Sequence, residues 1–163
     1  MELAGDASLV PRRVAVVSGY FNPLHVGHLR MMTEARALAD ALIVIVNNDD
    51  QQLAKLGTIV QRLEHRVEIV AALRVVSEVM PAVDRDSSVN ESLRVLRARF
   101  PDTDLVFAEG GDRSDPQTVT EMTTCRELGI DVVLGVGGTE KADASSRINR
   151  QLRNLMTAQD PGP

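Results

Sequence analysis

Uninterrupted aliphatic runs alternate along the chain with longer segments in which apolar residues recur every three or four positions. The runs are short and contain few polar residues, which is typical of strands in a parallel sheet that is covered on both faces. They lie at 14–18, 42–46, 75–80, 105–108 and 130–136. The periodic segments predict helices at 28–40, 63–73, 89–99, 118–128 and 145–156. Segment 51–61 has neither pattern, so its form stays open at this stage.

This alternation predicts an α/β fold: a single-domain, doubly wound, Rossmann-like sheet of five mostly parallel strands with helices on both faces. We expect residues 13–157 to form that domain, residues 1–12 to be a flexible lead-in, and residues 158–163 to be a frayed tail. Ligands of such sheets bind outside the carboxyl ends of the strands, where the strand order reverses. Polar or glycine-rich loops follow four of the predicted strands, at 19–28, 47–50, 109–113 and 137–146.

Composition narrows the possible partners. The chain has a formal net charge of −5, and aromatic residues make up 2% of it. A nucleic-acid-binding surface needs lysine and arginine for the phosphates and exposed rings for the bases, so nucleic acid is not an expected partner. The single cysteine, Cys125, excludes an intramolecular disulfide and a cysteine-rich metal site. The longest aliphatic run, 41–46, is too short to span a bilayer, so we expect a cytoplasmic protein without a membrane partner.

The most informative stretch is 18–28, Ser-Gly-Tyr-Phe-Asn-Pro-Leu-His-Val-Gly-His, between the first strand and the first helix. Backbone N–H groups and the positive end of a helix can bind an anion in such a loop. His25 and His28 are three residues apart and share one face of the first helical turn. A zinc site there would need a third protein ligand, and none is suitably spaced. The stretch therefore predicts a phosphate site that carries two imidazoles, built without a GxGxxG or Walker A loop.

Residues 19–28 resemble the G-x-F-D/N-x-x-H-x-G-H signature of the cytidylyltransferase-like nucleotidyltransferases. Further similarities to that family follow in its order: Asn48-Asp49 after the second strand, Lys55 where members carry a substrate-side lysine, Glu64-His65-Arg66 at a helix start, Gly110-Gly111-Asp112 in a loop, and 144–148 near the end. The last motif departs from the family at Ala144, where a serine is usual. Together these similarities are specific to the family, but they do not identify the substrate.

The resemblance implies a nucleotidyltransferase that moves NMP from an NTP, with CTP favoured, to a small phosphorylated acceptor and releases pyrophosphate. The acceptor would be a polyol phosphate, a sugar phosphate or a phosphonate. Two alternatives stay open: an ATP-dependent adenylyltransferase of a sugar phosphate, and a nucleotide-binding module without turnover. The family also implies a homodimer, and a Mg²⁺ (or Mn²⁺) ion held mainly by phosphate oxygens and water, with no protein metal site.

The same resemblance assigns roles to individual residues. His25, His28 and Lys55 would stabilise charge on the transferring group. Asp49, Lys55 and Arg66 would bind the acceptor. The nucleotide would contact Gly19, Tyr20, Phe21, Asn22, Gly27, Gly111, Asp112, Arg113, Ser145 and Ser146. Structural roles are compatible at several positions, since Ser145 and Ser146 also make good helix caps and Arg66 could equally be an interhelical cation.

Overall fold

A computed structural model describes residues 11–110, 117, 119–138 and 144–158. Its strands are β1 (Arg13–Gly19), β2 (Ala41–Val46), β3 (Glu78–Pro81), β4 (Asp104–Gly110) and β5 (Asp131–Val136). Its helices are α1 (Val26–Ala37), α2 (Asp49–Leu56), α3 (Leu63–Ala71), α4 (Asn90–Arg99), α5 (Met122–Leu128) and α6 (Ser145–Ala158). Within these ranges, strands and helices alternate as the hydrophobic pattern predicts, with α2 as an addition.

The strands form one sheet in the order β3-β2-β1-β4-β5, and every neighbouring pair is parallel. β1 lies at the centre, paired with β2 on one side and with β4 on the other. The chain therefore runs outward from β1 to β3 and then crosses to the other side of β1, where β4 begins the second half. A crevice is expected at the carboxyl ends of β1 and β4, where the strand order reverses. The predicted doubly wound α/β class is confirmed.

The core consists of two apolar clusters, one on each face of the sheet. Val14 and Val16 of β1 belong to the cluster under α4 and α5, whereas Ala15 and Val17 belong to the cluster under α1 and α3. All four are at most 1% exposed. Successive strand residues point to opposite faces, so only a run without polar residues can satisfy both clusters. This requirement explains why the strands were visible in the sequence.

Helix α2 occupies part of the segment whose form the sequence left open. Asn48 caps it, since the side chain accepts a hydrogen bond from the backbone N–H of Gln51 and the Gln51 side chain bonds back to the backbone of Asn48. The sequence pattern did not indicate this helix because its polar residues are buried and its apolar residues are exposed. Gln51 and Gln52 are buried, whereas Leu53 and Leu56 are more than two-fifths exposed. A helix that buries amides and exposes leucines does not present an apolar stripe to the core.

Several boundaries also differ from the predicted ones. β3 begins at Glu78 and not at 75, because Val75 and Val76 pack against the cluster under α1 and α3 before the chain joins the sheet. α1 begins at Val26, ahead of the predicted start at 28, and α5 begins at Met122, after the predicted start at 118. None of the helices in the described part of the chain combines the length and the hydrophobicity needed to cross a membrane.

Replacing Leu96 by alanine should lower the free energy of unfolding by about 2–5 kcal/mol, because a fully buried α4 side chain is lost and a cavity remains. Val95 on the same helix is 45% exposed, so Val95→Ala should change that free energy by less than about 0.5 kcal/mol. Urea unfolding followed by circular dichroism measures both. Equal losses in the two variants would contradict the described orientation of α4.

Candidate active site

A cavity of about 810 Å³ lies at the carboxyl ends of the strands. Its walls come from the loops after the strands, from α1 and α2, and from the start of α6. Nine of the residues assigned from the sequence line it: Gly19, Tyr20, Phe21, His25, Gly27, His28, Lys55, Ser145 and Ser146. Three others, Gly111, Asp112 and Arg113, lie outside the described residues. The remaining three, Asn22, Asp49 and Arg66, do not line the cavity.

The two imidazoles are held by the main chain of the first turn of α1. His25 is the N-cap residue, and its Nδ1 accepts a hydrogen bond from the backbone N–H of Gly27 at 3.1 Å. In return, the backbone N–H of His25 donates to Nδ1 of His28 at 3.3 Å. The rings stack with their centroids 3.8 Å apart and their planes inclined by 26°. This reciprocal cap fixes both rings at the positive end of the helix, beside the cavity.

These hydrogen bonds also determine which ring nitrogen carries the proton. Since Nδ1 of each histidine accepts an N–H, the proton of each neutral ring lies on Nε2. Burial, together with the neighbouring His25, lowers the pKa of His28 to about 4. At neutral pH His28 is therefore an uncharged imidazole with an Nε2–H donor. Such a donor can stabilise charge on a phosphate oxygen without gaining or losing a proton.

Phe21 supports the His28 ring from behind. Phe21 is 2% exposed, and its ring meets the imidazole edge-on at 5.0 Å with an interplanar angle of 78°. Its φ of 51° places its backbone in the left-handed region, which is uncommon for a residue with a side chain. Its ring lies over Gly19, where an added Cβ would be 2.9 Å from Phe21 Cζ. Gly19 is therefore needed to seat the aromatic ring that positions His28.

Tyr20 and Lys55 form the wall next to the imidazoles. The Lys55 ammonium lies over the Tyr20 ring, 4.4 Å from its centroid, in a cation–π arrangement. The Tyr20 hydroxyl donates to the backbone carbonyl of Gln51 at 3.5 Å. Burial raises the pKa of Tyr20, and the charge of Arg66 partly offsets that rise. Lys55, which the motif resemblance assigned to the substrate side, therefore lines the cavity and contacts the loop after β1.

The structure places Arg66 and Asp49 behind the cavity wall. The Arg66 side chain is completely buried, and its Nη2 donates to Oδ1 of Asp49 at 2.8 Å. The other Arg66 donors bond to main-chain carbonyls. Oδ1 of Asp49 also accepts the backbone N–H of Leu63, at the start of α3. These groups are engaged with protein atoms, and the acceptor contact expected of Arg66 and Asp49 stays a prediction.

Asn22 also lies behind the wall, at 2% exposure. The side-chain amide of Asn22 donates to Oε1 of Gln52. The backbone carbonyl of Asn22 accepts a hydrogen bond from the Asn149 side chain of α6 at 3.1 Å. Next to it, the Ser145 hydroxyl donates to the carbonyl of Pro23 at 2.9 Å. The loop after β1 is thereby joined to the first turn of α6, whose N-terminal serines face the cavity.

Sequence reasoning missed part of the cavity wall. Arg85, Asp86 and Ser87, which follow β3, line it together with Glu121, in addition to Glu109 of the loop that the sequence did indicate. The sequence indicated only a turn with helix caps at 84–88. The rule that pointed to the loops after the other strands applies equally to β3, and applying it there would have found the first three residues. Glu121 gave no such signal, since it follows no strand directly; in the structure its carboxylate accepts the backbone N–H of Val89.

The carboxylates and imidazoles of the cavity decide what kind of metal binding it can support. Within the described residues, no cluster of three or more histidine, cysteine, aspartate or glutamate side chains could hold a metal ion. The cavity does carry the carboxylates of Asp86, Glu109 and Glu121. Mg²⁺ bound to a nucleotide takes phosphate oxygens and water, with at most one or two carboxylates. The donor set therefore fits a metal that arrives with a triphosphate.

Comparison with known proteins places this arrangement in a family. The profile described as "Cytidylyltransferase-like" matches residues 16–156, which includes both histidines and both serines of α6. The chain belongs to the Cytidylyltransferase-like family. The resemblance stated from the motifs is thereby confirmed.

Curated relatives of this Cytidylyltransferase-like chain are longer proteins. "Bifunctional protein HldE" of Methylococcus capsulatus is 34% identical over 150 residues, which cover 87% of this chain and 28% of that protein. The protein of the same name from Shewanella loihica is 42% identical over 109 residues, covering 66% of this chain and 21% of that protein. The chain thus spans about a quarter of the length of these relatives.

Solved structures share the fold at low identity. The lipopolysaccharide core biosynthesis protein from Thermoplasma volcanium superposes with a TM-score of 0.58 and 22% identity, covering 82% of this chain and all of that one. A putative nicotinate-nucleotide adenylyltransferase from Vibrio parahaemolyticus gives 0.58 and 16%, covering 88% of each chain. A bifunctional NMN adenylyltransferase/ADP ribose pyrophosphatase from Francisella tularensis gives 0.63 and 13%, covering 88% of this chain and 42% of that one. These similarities establish the architecture.

Replacing His28 by glutamine should remove part of the acid sensitivity of folding. The folded-state pKa of about 4 lies below the unfolded value of 6.5, so between these values the unfolded chain binds more protons than the folded one. The His28 contribution to the free energy of unfolding therefore falls as the pH falls through this window. Urea unfolding at about pH 7 and about pH 5 measures the difference, and His28→Gln should lose less stability than the wild type.

His65→Gln is the control for that experiment. The His65 side chain is 64% exposed, so this variant should keep the pH dependence of the wild type. Identical slopes for the wild type and His28→Gln would show that His28 is not held as a neutral, buried imidazole.

Proposed function

We propose that this chain is a nucleotidyltransferase that moves NMP from an NTP to a small phosphorylated acceptor. An oxygen of the acceptor phosphate forms a bond to the α-phosphorus. The bond from that phosphorus to the oxygen that bridges to the β-phosphorus breaks, and pyrophosphate leaves with the electron pair. Negative charge grows on the α- and β-phosphate oxygens during transfer, so positioned hydrogen-bond donors lower the barrier.

The observation that carries this proposal is the reciprocal cap of His25 and His28. Two stacked imidazoles with Nδ1 engaged by backbone N–H groups present Nε2–H donors at the positive end of α1. The low pKa of His28 keeps that ring neutral, so it acts as a hydrogen-bond donor and not as a base. The start of α6 lies on the same cavity, and its backbone N–H groups and the Ser146 hydroxyl would offer further donors to the nucleotide phosphates, since the Ser145 hydroxyl already donates to the Pro23 carbonyl.

The acceptor would bind on the side of the cavity where Lys55 and Arg85 lie. Lys55, held over the Tyr20 ring, supplies positive charge to the incoming phosphate. Arg85 on the loop after β3 is a second cation on the same cavity. The chain has no tryptophan and one tyrosine, and a quaternary ammonium acceptor is usually held by several aromatic rings. A polyol phosphate, a sugar phosphate or a phosphonate therefore fits better.

The donor nucleotide is CTP or ATP. The motif resemblance favoured CTP. The relatives named "Bifunctional protein HldE" support transfer of AMP to a sugar phosphate as the alternative. Mg²⁺ or Mn²⁺ would be bound with the triphosphate and would neutralise part of its charge. The homodimer implied by the family and the cytoplasmic location expected from the hydrophobic pattern stay predictions, and sedimentation analysis would test the first.

Pyrophosphate release tests the reaction directly. The protein is incubated with Mg²⁺, each of the four NTPs and a panel of sugar phosphates, polyol phosphates and phosphonates. His28→Ala should lower kcat by about 10²–10³-fold, the usual cost of removing one donor to a developing charge. His65→Ala, at an exposed histidine outside the cavity, should leave kcat unchanged.

Two results would contradict the proposal in different ways. No release above the His28→Ala background with any substrate pair would exclude turnover. Thermal stabilisation by an NTP without turnover would then favour the nucleotide-binding module.

Lys55→Met should raise the KM for the acceptor about tenfold or more, since a charge-assisted hydrogen bond to phosphate is lost, while the KM for the NTP changes little. Arg62→Met is the matched control, because Arg62 is also a cation, but it lies at the N-cap of α3 with its side chain 71% exposed and outside the cavity. Initial-rate measurements with one substrate varied at a time give both constants. A larger rise in the NTP constant would move Lys55 to the nucleotide side.

A further inference from the structure

Arg66 is a fully buried guanidinium that bonds to protein atoms in four directions. Nη1 donates to the carbonyls of Tyr20 at 2.9 Å and Asn47 at 2.6 Å. Nε donates to the carbonyl of Gln61 at 2.9 Å, and Nη2 donates to the Asp49 carboxylate. The side chain has no exposed surface. Burying a cation is expensive unless its donors are satisfied, so this degree of pairing is what makes the position stable.

Two of those partners are parts of the cavity wall. Tyr20 is the first residue after β1, and Asn47 is the first residue after β2. Both line the cavity. The backbone N–H of Asn47 also donates to the carbonyl of Gly19, which continues the pairing of β1 with β2 past their ends. Nη1 of Arg66 therefore joins the first residue after β1 to the first residue after β2.

The other two partners connect the bridge to the helices that carry the acceptor side. Asp49 is the first residue of α2, the helix on which Lys55 lies, and the same carboxylate oxygen accepts the first backbone N–H of α3. Gln52 of α2 donates to the Gln61 carbonyl, which Arg66 also binds. The guanidinium thus ties the β1 loop, the β2 loop, α2 and α3 together.

We propose that Arg66 is a positioning residue for the acceptor: it fixes the Tyr20 ring and α2 relative to each other, and so places the Lys55 ammonium. The inference rests on the proposed function, because it gives Lys55 the role of holding the acceptor phosphate. Arg66 acts through Tyr20 and α2 and touches no substrate itself. A lysine cannot replace it, since one ammonium does not reproduce the planar fork that reaches four partners.

A second arginine in the same chain provides a matched control. Arg97 donates to the carbonyls of Phe100 and Thr103 through Nη1 and to that of Gly129 through Nη2. Thr103 directly precedes β4, so this arginine braces the amino ends of the strands, away from the cavity. Arg66 and Arg97 therefore make similar sets of hydrogen bonds to main-chain carbonyls, Arg66 at the carboxyl ends of the strands and Arg97 at the amino ends.

Intrinsic fluorescence can report whether Arg66 holds Tyr20 in place. Tyr20 is the single tyrosine, and the chain has no tryptophan, so intrinsic fluorescence comes from Tyr20. Acrylamide quenching of that fluorescence measures how exposed the ring is, without any substrate. Arg66→Met and Arg97→Met should both lower Tm, because each removes hydrogen bonds from carbonyls. Quenching should rise toward that of the unfolded chain in Arg66→Met and stay at the wild-type level in Arg97→Met.

Kinetics give the second readout on the same variants. Arg66→Met should lower kcat/KM for the acceptor roughly 10- to 100-fold, mainly through KM, as expected for a misplaced binding group. Its stabilisation by NTP in a thermal-shift experiment should match that of the wild type. Arg66→Lys should not restore the acceptor KM, although it keeps the charge.

The outcomes separate this inference from the proposed function. If the wild type releases no pyrophosphate, the proposed function fails, but the quenching experiment still decides whether Arg66 positions Tyr20. Wild-type quenching in folded Arg66→Met would overturn the positioning role. If Arg66→Met does not fold, Asp49→Asn weakens the ion pair between Asp49 and Arg66 and should raise the quenching of Tyr20 fluorescence. The absence of a rise in Asp49→Asn would equally overturn the inference.

Discussion

The candidate site depends on a short-range exchange between side chain and main chain at the start of α1. His25 closes the helix by accepting a backbone N–H, and its own backbone N–H is received by the ring of His28. A helix N-terminus always has unpaired N–H groups. Here imidazole nitrogens satisfy two such donors, so the same contacts cap the helix, orient the rings and select the Nε2–H form. The chemistry proposed for the cavity follows from that one exchange.

Buried polar groups stabilise the wall formed by the loops after β1, β2 and β3. Gln51, Gln52 and Arg66 are at most 2% exposed, and their partners are mostly backbone carbonyls and N–H groups of loops. A buried amide or guanidinium is stable only when its partners are in place, which makes such a network sensitive to geometry. The loops at the carboxyl ends of β1, β2 and β3 are therefore held in defined positions although they lack regular structure.

Sequence patterns predicted the sheet well and the helix α2 not at all, for the same reason. Strands that are buried on both faces must be aliphatic throughout, so the aliphatic runs ending at Val17 and Val46 can be recognised as strands from the local sequence. In α2 the buried face consists of two glutamines whose partners lie on segments far along the chain, such as Asp86 and Ser88. Periodicity measures hydrophobicity and does not register such pairing. The start of α6 at Ser145 agrees with the prediction, but the Ser145 hydroxyl donates to the Pro23 carbonyl, a partner far along the chain that the sequence pattern does not indicate.

The sequence by itself determined the α/β class, the histidine loop and its family, because strand burial, helix capping and motif spacing all act within a few residues. Tertiary structure decided which cations face the cavity. Lys55 and Arg66 were both assigned to the acceptor from the sequence, yet one lies over Tyr20 beside the cavity and the other is buried behind it. Arg66 and its partner Tyr20 are 46 positions apart. Whether a charge binds a ligand or the protein's own carbonyls depends on which backbone groups the folded sheet brings within its reach, and that is a property of contacts distant in the chain.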